Sequence, residues 1–161
     1  MEIAFTEWVS VTDSSSVGEA RRTALGVAQR LGFDESRSGE LALLVTEVAR
    51  NVLVHAGGGQ VAMAGARSAQ GPMARILALD HGKGIPDLQR AMADGYSTAG
   101  TPGGGLGAMK RIATALEIFS GKSGTVQIEH AKLRGAHEGA CYDGETGPRG
   151  LCMHGYTLTL G

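Results

Sequence analysis

The sequence predicts an α+β fold, a two-layer sandwich with the helices packed on one face of a mixed β-sheet. The predicted strands come in adjacent pairs and the predicted helices in blocks, whereas a doubly wound parallel sheet alternates strand and helix. The chain has 161 residues, of which 42% are hydrophobic and 19% are charged. These proportions are typical of one globular domain with its own core.

The first 60 residues predict one strand and two helices. Residues 2–11 alternate loosely between apolar and polar side chains, which indicates a strand. Each helix has a capping side chain before it and glycine after it, as helix ends favour. The first helix follows Asp13 and residues 14–16 and ends at Leu31; the second follows Asp34 or Ser36 and ends near Ala56.

The rest of the chain predicts two pairs of strands separated by a glycine-rich segment. The predicted elements are strands 60–66 and 73–80, a short helix at 87–93, a helix over 106–116, and strands 117–120 and 125–133. Residues 134–161 change in character and end in a strand-like run at 156–160. This tail is either an extra hairpin that returns to the sheet or a linker to an absent domain.

Composition excludes several classes of function. The net charge of −1 and the aromatic content of 4% disfavour binding of nucleic acid. No apolar run approaches the roughly 20 residues of a membrane span, and the N-terminus lacks the pattern of a signal peptide. Two cysteines, Cys141 and Cys152, do not make a disulfide scaffold. We therefore expect a cytoplasmic protein that acts on neither nucleic acid nor membrane.

A turn rich in glycine follows the apolar strand that ends at Asp80. A carboxylate at such a strand end can accept a hydrogen bond from an exocyclic amine, such as that of adenine. Gly82 and Gly84 allow the backbone to approach a ring closely, and Lys83 adds positive charge. The alternative is an ordinary turn at the end of a strand.

A second glycine-rich run opens the helix predicted at 106–116. Free N–H groups at a helix start, together with a glycine loop, bind phosphate without side chains. The run lacks the spacing of a Walker A loop, and no strand–helix–strand unit encloses it as in a dinucleotide-binding fold. A loop without a ligand is the alternative interpretation. The run consists of Gly103, Gly104, Gly105, Leu106 and Gly107.

Glu47 and Asn51 are four residues apart in the second predicted helix, so they lie on one face of it. A carboxylate there can take a proton, and an amide oxygen there can ligate Mg²⁺. The alternative is a polar helix edge with ordinary hydrogen bonds.

In this order, these segments resemble the boxes of the GHKL (Bergerat-fold) ATP-binding superfamily, which includes gyrase, histidine kinases, MutL and a heat-shock chaperone. The N-box is Glu47-Val48-Ala49-Arg50-Asn51, the first glycine box is 80–84, and the second is 103–107. Thr125, after Gly124, matches the threonine that lies near adenine in that fold. The resemblance covers about residues 1–133 and implies an ATP-binding kinase domain there, with residues 134–161 as a tail.

A narrower resemblance comes from 80–87 and 92–98. These segments look like the RsbT-like and anti-sigma-factor serine/threonine kinases of bacterial partner-switching pathways. The resemblance implies phosphorylation of a STAS-domain antagonist or stressosome-type protein. It implies Glu47 as the catalytic base, Asn51 as the Mg²⁺ ligand and Asp80 with Thr125 at adenine. The expected cofactors are ATP and Mg²⁺. A phosphatase or a sigma factor is a further candidate partner, and a homodimer is a candidate assembly.

Three other functions remain open from the sequence. The domain could be an ATP-dependent binding switch with little catalysis, the catalytic part of a histidine kinase, or an ATPase that drives a conformational cycle. Regulation of the partner that is retained in Glu47→Ala and lost in Asn51→Ala would favour the first of these functions. Steady ATP turnover without a protein acceptor would favour the third.

Overall fold

The computed structural model of the chain describes residues 2–68, 71–87, 91, 106–132 and 156–158. Helices and strands follow the predicted order, and the short strand near the C-terminus lies within the strand-like run predicted at 156–160. The strands are β1 (Glu2–Val11), β2 (Gly59–Ser68), β3 (Gly71–Asp80), β4 (Ala115–Gly121), β5 (Gly124–Lys132) and β6 (Tyr156–Leu158); the helices are α1 (Ser14–Leu31), α2 (Glu35–Ala56) and α3 (Leu106–Ile112).

The strands form one sheet in the order β1-β2-β3-β5-β4-β6. Strands β1 to β5 pair with antiparallel neighbours, and β6 pairs with β4 in parallel, so the sheet is mixed as predicted. The strand order places β3 beside β5 rather than β4. As a result, the end of β3 lies next to the start of β5.

Both long helices pack on the same three strands, β1, β2 and β3. The helices and the sheet bury one apolar core between them. Its larger members include Leu41, Leu44, Val45 and Val48 from α2, and Val61, Met63, Ile76 and Ile118 from the strands. The predicted two-layer α+β sandwich is therefore confirmed.

The boundaries of α1 are fixed by its caps. Asp13 accepts hydrogen bonds from the N–H groups of Ser15 and Ser16, while the Ser16 hydroxyl accepts one from the N–H of Asp13. The Ser15 hydroxyl and these N–H groups lower the pKa of the Asp13 carboxyl. Gly32 ends the helix in the left-handed conformation, as predicted from its position.

The predicted boundaries of α2 are also confirmed. Asp34 caps it by accepting a hydrogen bond from the N–H of Arg37 at 2.9 Å, which decides between the two predicted caps. Gly57 ends the helix after Ala56. The apolar residues at helical spacing lie on the buried face of α2. This packing fixes the positions of the Glu47 and Asn51 backbones relative to the sheet.

The helix predicted over 106–116 is too long. In the structure α3 ends at Ile112, and Ala115 and Leu116 pair with His130 and Glu129 as the first residues of β4. Local helix propensity is weak, and the ladder with β5 outweighs it. Most of the short helix predicted at 87–93 lies outside the described residues. The division of the chain at residue 133 stays a prediction.

Candidate functional site

Three polar residues lie side by side at one end of the sheet. In the strand register Asp80 of β3 is opposite Thr125 of β5, and Thr125 is opposite Ser120 of β4. Cross-strand partners project from the same face of a sheet. Ala78 and Ile118, two residues earlier on their strands, are buried in the core, so this row lies on the helix-covered face.

The Asp80 carboxylate organises this end of the sheet through one oxygen. Oδ1 accepts hydrogen bonds from the N–H of Gly82 at 2.8 Å and from the N–H of Thr125 at 3.1 Å. The first bond closes the glycine turn, and the second joins two segments 45 residues apart. Among the residues that the structure describes, none donates to Oδ2. A carboxylate oxygen can accept a hydrogen bond from a ligand donor such as the amine of adenine.

Gly82 and Gly84 each accommodate a close approach by another part of the chain. A Cβ on Gly82 would lie 2.7 Å from Cβ and 2.9 Å from Cα of Ala56, near the end of α2. Gly84 has φ of +73° and lies against the carbonyl of Gly121, where a side chain would clash. Both glycines thus allow the turn to fit between α2 and the β4–β5 hairpin.

The C-terminal half of α2 lies over this turn. Val52 packs against Gly59, the β2 partner of Asp80, and Ala56 packs against Gly82. Asn51 directly precedes Val52 and is half-buried, and Glu47 is one turn earlier, about 6 Å along the helix axis. The contacts with the Asp80 turn are thus made by Val52 and Ala56, with Asn51 next to Val52 in the chain and Glu47 further towards the middle of the helix.

Glu47 is a largely covered carboxylate with a basic neighbour. Its side chain is 13% exposed, and its Oε1 is 3.8 Å from Nη1 of Arg50, whose side chain is 48% exposed. At that distance the pair is a loose contact, so Glu47 retains acceptor capacity for a proton or a hydroxyl.

The predicted phosphate loop lies mostly outside the described residues. Gly103, Gly104 and Gly105 fall there, whereas Leu106 and Gly107 form the first turn of α3. The Leu106 side chain is 7% exposed and belongs to the core, so only its backbone is available to a phosphate. Lys83, in the turn after Asp80, is exposed.

Sequence reasoning missed Ser120. Its hydroxyl accepts a hydrogen bond from the N–H of Ile85 at 2.7 Å and is 3.0 Å from the hydroxyl of Thr125. Residues 122–123 form the tight turn between β4 and β5. A two-residue turn between Gly121 and Gly124 pairs these glycines, and the next pair outward is Ser120 with Thr125. This spacing in the sequence could have predicted that Ser120 lies beside Thr125.

Comparisons with known proteins decide the family. Residues 11–128 match the family described as histidine kinase-like ATPase domain. The chain belongs to this ATP-binding family. The chain is also 32% identical over 127 residues to serine/threonine-protein kinase RsbT from Bacillus subtilis (strain 168), covering 79% of this chain and 90% of that protein. The family and this relative confirm the expected GHKL membership and the expected enzyme class, a serine/threonine protein kinase.

Two solved structures are similar to this chain at lower sequence identity than RsbT. The mycobacterial sensor histidine kinase MprB has a TM-score of 0.45 and 20% identity, covering 79% of this chain and 97% of that one. A chain of the SiaB–SiaC complex from Pseudomonas aeruginosa has a TM-score of 0.49 and 13% identity, covering 81% and 91%.

The described residues contain neither a membrane-spanning helix nor a cluster of metal-binding side chains. None of the helices described is long and apolar enough to cross a membrane. Within the same residues, no three His, Cys, Asp or Glu side chains form a group that could hold a metal.

Proposed function

We propose that this protein is an ATP-dependent serine/threonine kinase that acts as a regulatory switch in a bacterial partner-switching pathway, where it phosphorylates a STAS-domain protein. The observation that carries the proposal is the row of Asp80, Thr125 and Ser120 beside the glycine turn against which the end of α2 packs. The relative named as a serine/threonine-protein kinase supports the choice of acceptor residue.

In this proposal Asp80 selects the purine. Its Oδ1 is engaged by the two backbone N–H groups, so Oδ2 accepts the adenine amine. Thr125 supports the ring directly or through a water molecule. Gly82 and Gly84 keep the turn close to the base, and Lys83 adds charge at its edge. Backbone N–H groups of Gly103, Gly104, Gly105, Leu106 and Gly107 bind the β- and γ-phosphates.

The residues present suit one Mg²⁺. Asn51 offers an amide oxygen from a rigid helix, close to Val52 and the Asp80 end of the sheet. Mg²⁺ is commonly held by one or two protein groups plus substrate phosphates, so a single amide is a sufficient protein contribution. When bound, the ion neutralises charge on the transferring phosphate.

Glu47 is the proposed catalytic base. Its carboxylate accepts the proton of the partner's serine or threonine hydroxyl while that oxygen bonds to the γ-phosphorus. The bond from the γ-phosphorus to the bridging oxygen breaks, and ADP leaves. The low exposure of the Glu47 side chain favours this role because it limits competition from bulk water.

The proposed partner is a protein with a STAS domain. A STAS-domain antagonist or stressosome-type protein follows from the resemblance of residues 80–87 and 92–98 to switch kinases. A phosphatase or sigma factor as a second partner, a homodimer and a cytoplasmic location stay predictions.

Phosphate transfer from radiolabelled ATP to a purified STAS-domain protein tests the proposal. We expect label on serine or threonine with the wild type, and a loss of about 10²–10⁴-fold in Glu47→Gln, the typical contribution of a general base. Glu40→Gln, an exposed change on the same helix, is the matched control. Regulation of the partner that survives Glu47→Gln would instead favour the binding switch. Turnover of ATP without an acceptor would favour a simple ATPase.

A further inference from the structure

We propose that Ser120 is a positioning residue that orients the Thr125 hydroxyl and thereby contributes to the choice of adenine over guanine. The inference rests on the proposed function, because it concerns the same nucleotide site. Ser120 is 7% exposed and lies on the strand next to that of Thr125, which is 8% exposed.

The hydrogen bonds of Ser120 limit the directions that its own proton can take. A serine hydroxyl has one donor and two acceptor positions. One acceptor position takes the N–H of Ile85 at 2.7 Å, and the Thr125 hydroxyl lies at 3.0 Å. Among the described residues, no other hydrogen-bond partner of the Ser120 hydroxyl exists. Only one of the two hydroxyl protons can lie between these oxygens, so the other needs an acceptor elsewhere, and a buried donor without one costs free energy.

When a base lies against Thr125, the favoured arrangement has Ser120 donating to Thr125, because the base then accepts the remaining proton. In that arrangement the proton of Thr125 points away from Ser120 and is available to a ligand. The ligand-facing row then presents an acceptor at Asp80 beside a donor at Thr125.

This pair matches the edge of adenine and opposes that of guanine. Adenine carries a donor amine next to ring nitrogens that accept. Guanine has an acceptor oxygen in place of the amine, which would face the Asp80 carboxylate. Its neighbouring ring N–H would face the Thr125 proton. Ser120 thus affects selectivity without touching the base.

Ser120 also holds the segment that follows the Asp80 turn through its hydrogen bond with Ile85. Ser120 accepts a hydrogen bond from the N–H of Ile85, the residue after Gly84. A Cβ placed on Gly84 would lie against the carbonyl of Gly121 and 3.1 Å from Oγ of Ser120. Ile85 is partly buried against the core. One hydroxyl therefore joins the Asp80 turn to the β4–β5 hairpin.

The test is a double-mutant cycle on nucleotide binding. The single variants are Ser120→Ala and Thr125→Val, and dissociation constants for ATP and GTP are measured by calorimetry on the full chain. We expect Ser120→Ala to weaken ATP binding by about 3- to 10-fold, the effect of one hydrogen bond, and to leave GTP binding nearly unchanged. The two changes should be less than additive, because Thr125→Val already removes the hydroxyl that Ser120 orients.

Two further variants keep the test decisive. Ser123→Ala, an exposed serine in the same hairpin turn, is the matched control and should change neither affinity. If Ser120→Ala does not fold, Ser120→Cys preserves the shape with a weak donor and should show the same loss of selectivity.

An unchanged ratio of ATP to GTP affinity in a folded Ser120 variant, or additive effects in the cycle, would overturn the role of Ser120. That result leaves the proposed function intact as long as the wild type binds ATP. A wild type that binds no ATP would overturn the proposed function itself.

Discussion

Replacing Asp80 by asparagine separates the two tasks of this side chain. Oδ1 holds two backbone N–H groups at 2.8 and 3.1 Å, and Oδ2 is proposed to bind the adenine amine. An amide keeps an acceptor oxygen at the first position and places an NH₂ donor at the second. The fold therefore retains both internal bonds, while the ligand meets a donor instead of an acceptor.

The magnitudes follow from this geometry. Hydrogen bonds to charged groups contribute about 1.5–3 kcal/mol and neutral ones about 0.5–1.5 kcal/mol. Two internal bonds that change from charged to neutral lower the free energy of unfolding by about 1–3 kcal/mol, which a typical domain tolerates. Losing the bond to the amine costs about 1.5–3 kcal/mol of binding, or roughly 10- to 150-fold in Kd for ATP.

Calorimetric titration with ATP and urea denaturation measure the two effects separately. Asp80→Ala is the contrast, since it removes both internal bonds and should lower stability further than Asp80→Asn does. Glu40→Gln controls for the loss of one negative charge at an exposed site. A folded Asp80→Asn variant that binds ATP within about twofold of the wild type would refute the assignment of Oδ2 to the amine.

Three further predictions concern the glycine turn, the metal ligand and the first helix. Gly82→Ala places a methyl group 2.7 Å from Cβ of Ala56 and should lower the free energy of unfolding, measured by urea denaturation, by about 1–3 kcal/mol. Gly39→Ala, whose added Cβ has no atom within 4 Å, should be neutral or stabilising. Equal stability of the two variants would contradict the packing of Gly82 against Ala56. Asn51→Ala should abolish the increase in ATP affinity caused by Mg²⁺ and leave Mg²⁺-free binding intact, and a persisting Mg²⁺ effect would exclude Asn51 as the ligand. The lowered pKa of Asp13 means that the stability gained from its charge is present above the ordinary value of 3.8 and is lost as pH falls through the lower folded value. Thermal denaturation from pH 7 to 2 should therefore show the difference between wild type and Asp13→Asn shrinking below about pH 3.8, and a constant difference would contradict the charged cap.

Local chemistry along the chain was sufficient to predict the first half of the fold. Asp13 and Gly32 bound α1, and Asp34 and Gly57 bound α2, because caps act within one turn of the helix they end. The strand from Glu2 to Val11 was predicted with its full length, since its alternation depends only on neighbouring residues.

Pairing between distant segments decided what the sequence did not show. The residues at 115–116 continue a helical pattern, yet they form β4 because β5 offers them a ladder. The order β3-β5-β4 is likewise a property of the whole sheet.

For the candidate site, the sequence by itself determined which chemical groups are available: the acid at Asp80, the helical pair Glu47 and Asn51, and the glycines between and after them. Residue type and short spacing are enough to recognise such groups. Only the tertiary structure decided that Asp80 binds the backbone of Thr125, and that Ser120 connects Thr125 to Ile85. Hydrogen bonds between residues 35 to 45 positions apart depend on sheet register, which is set by the packing of the whole chain.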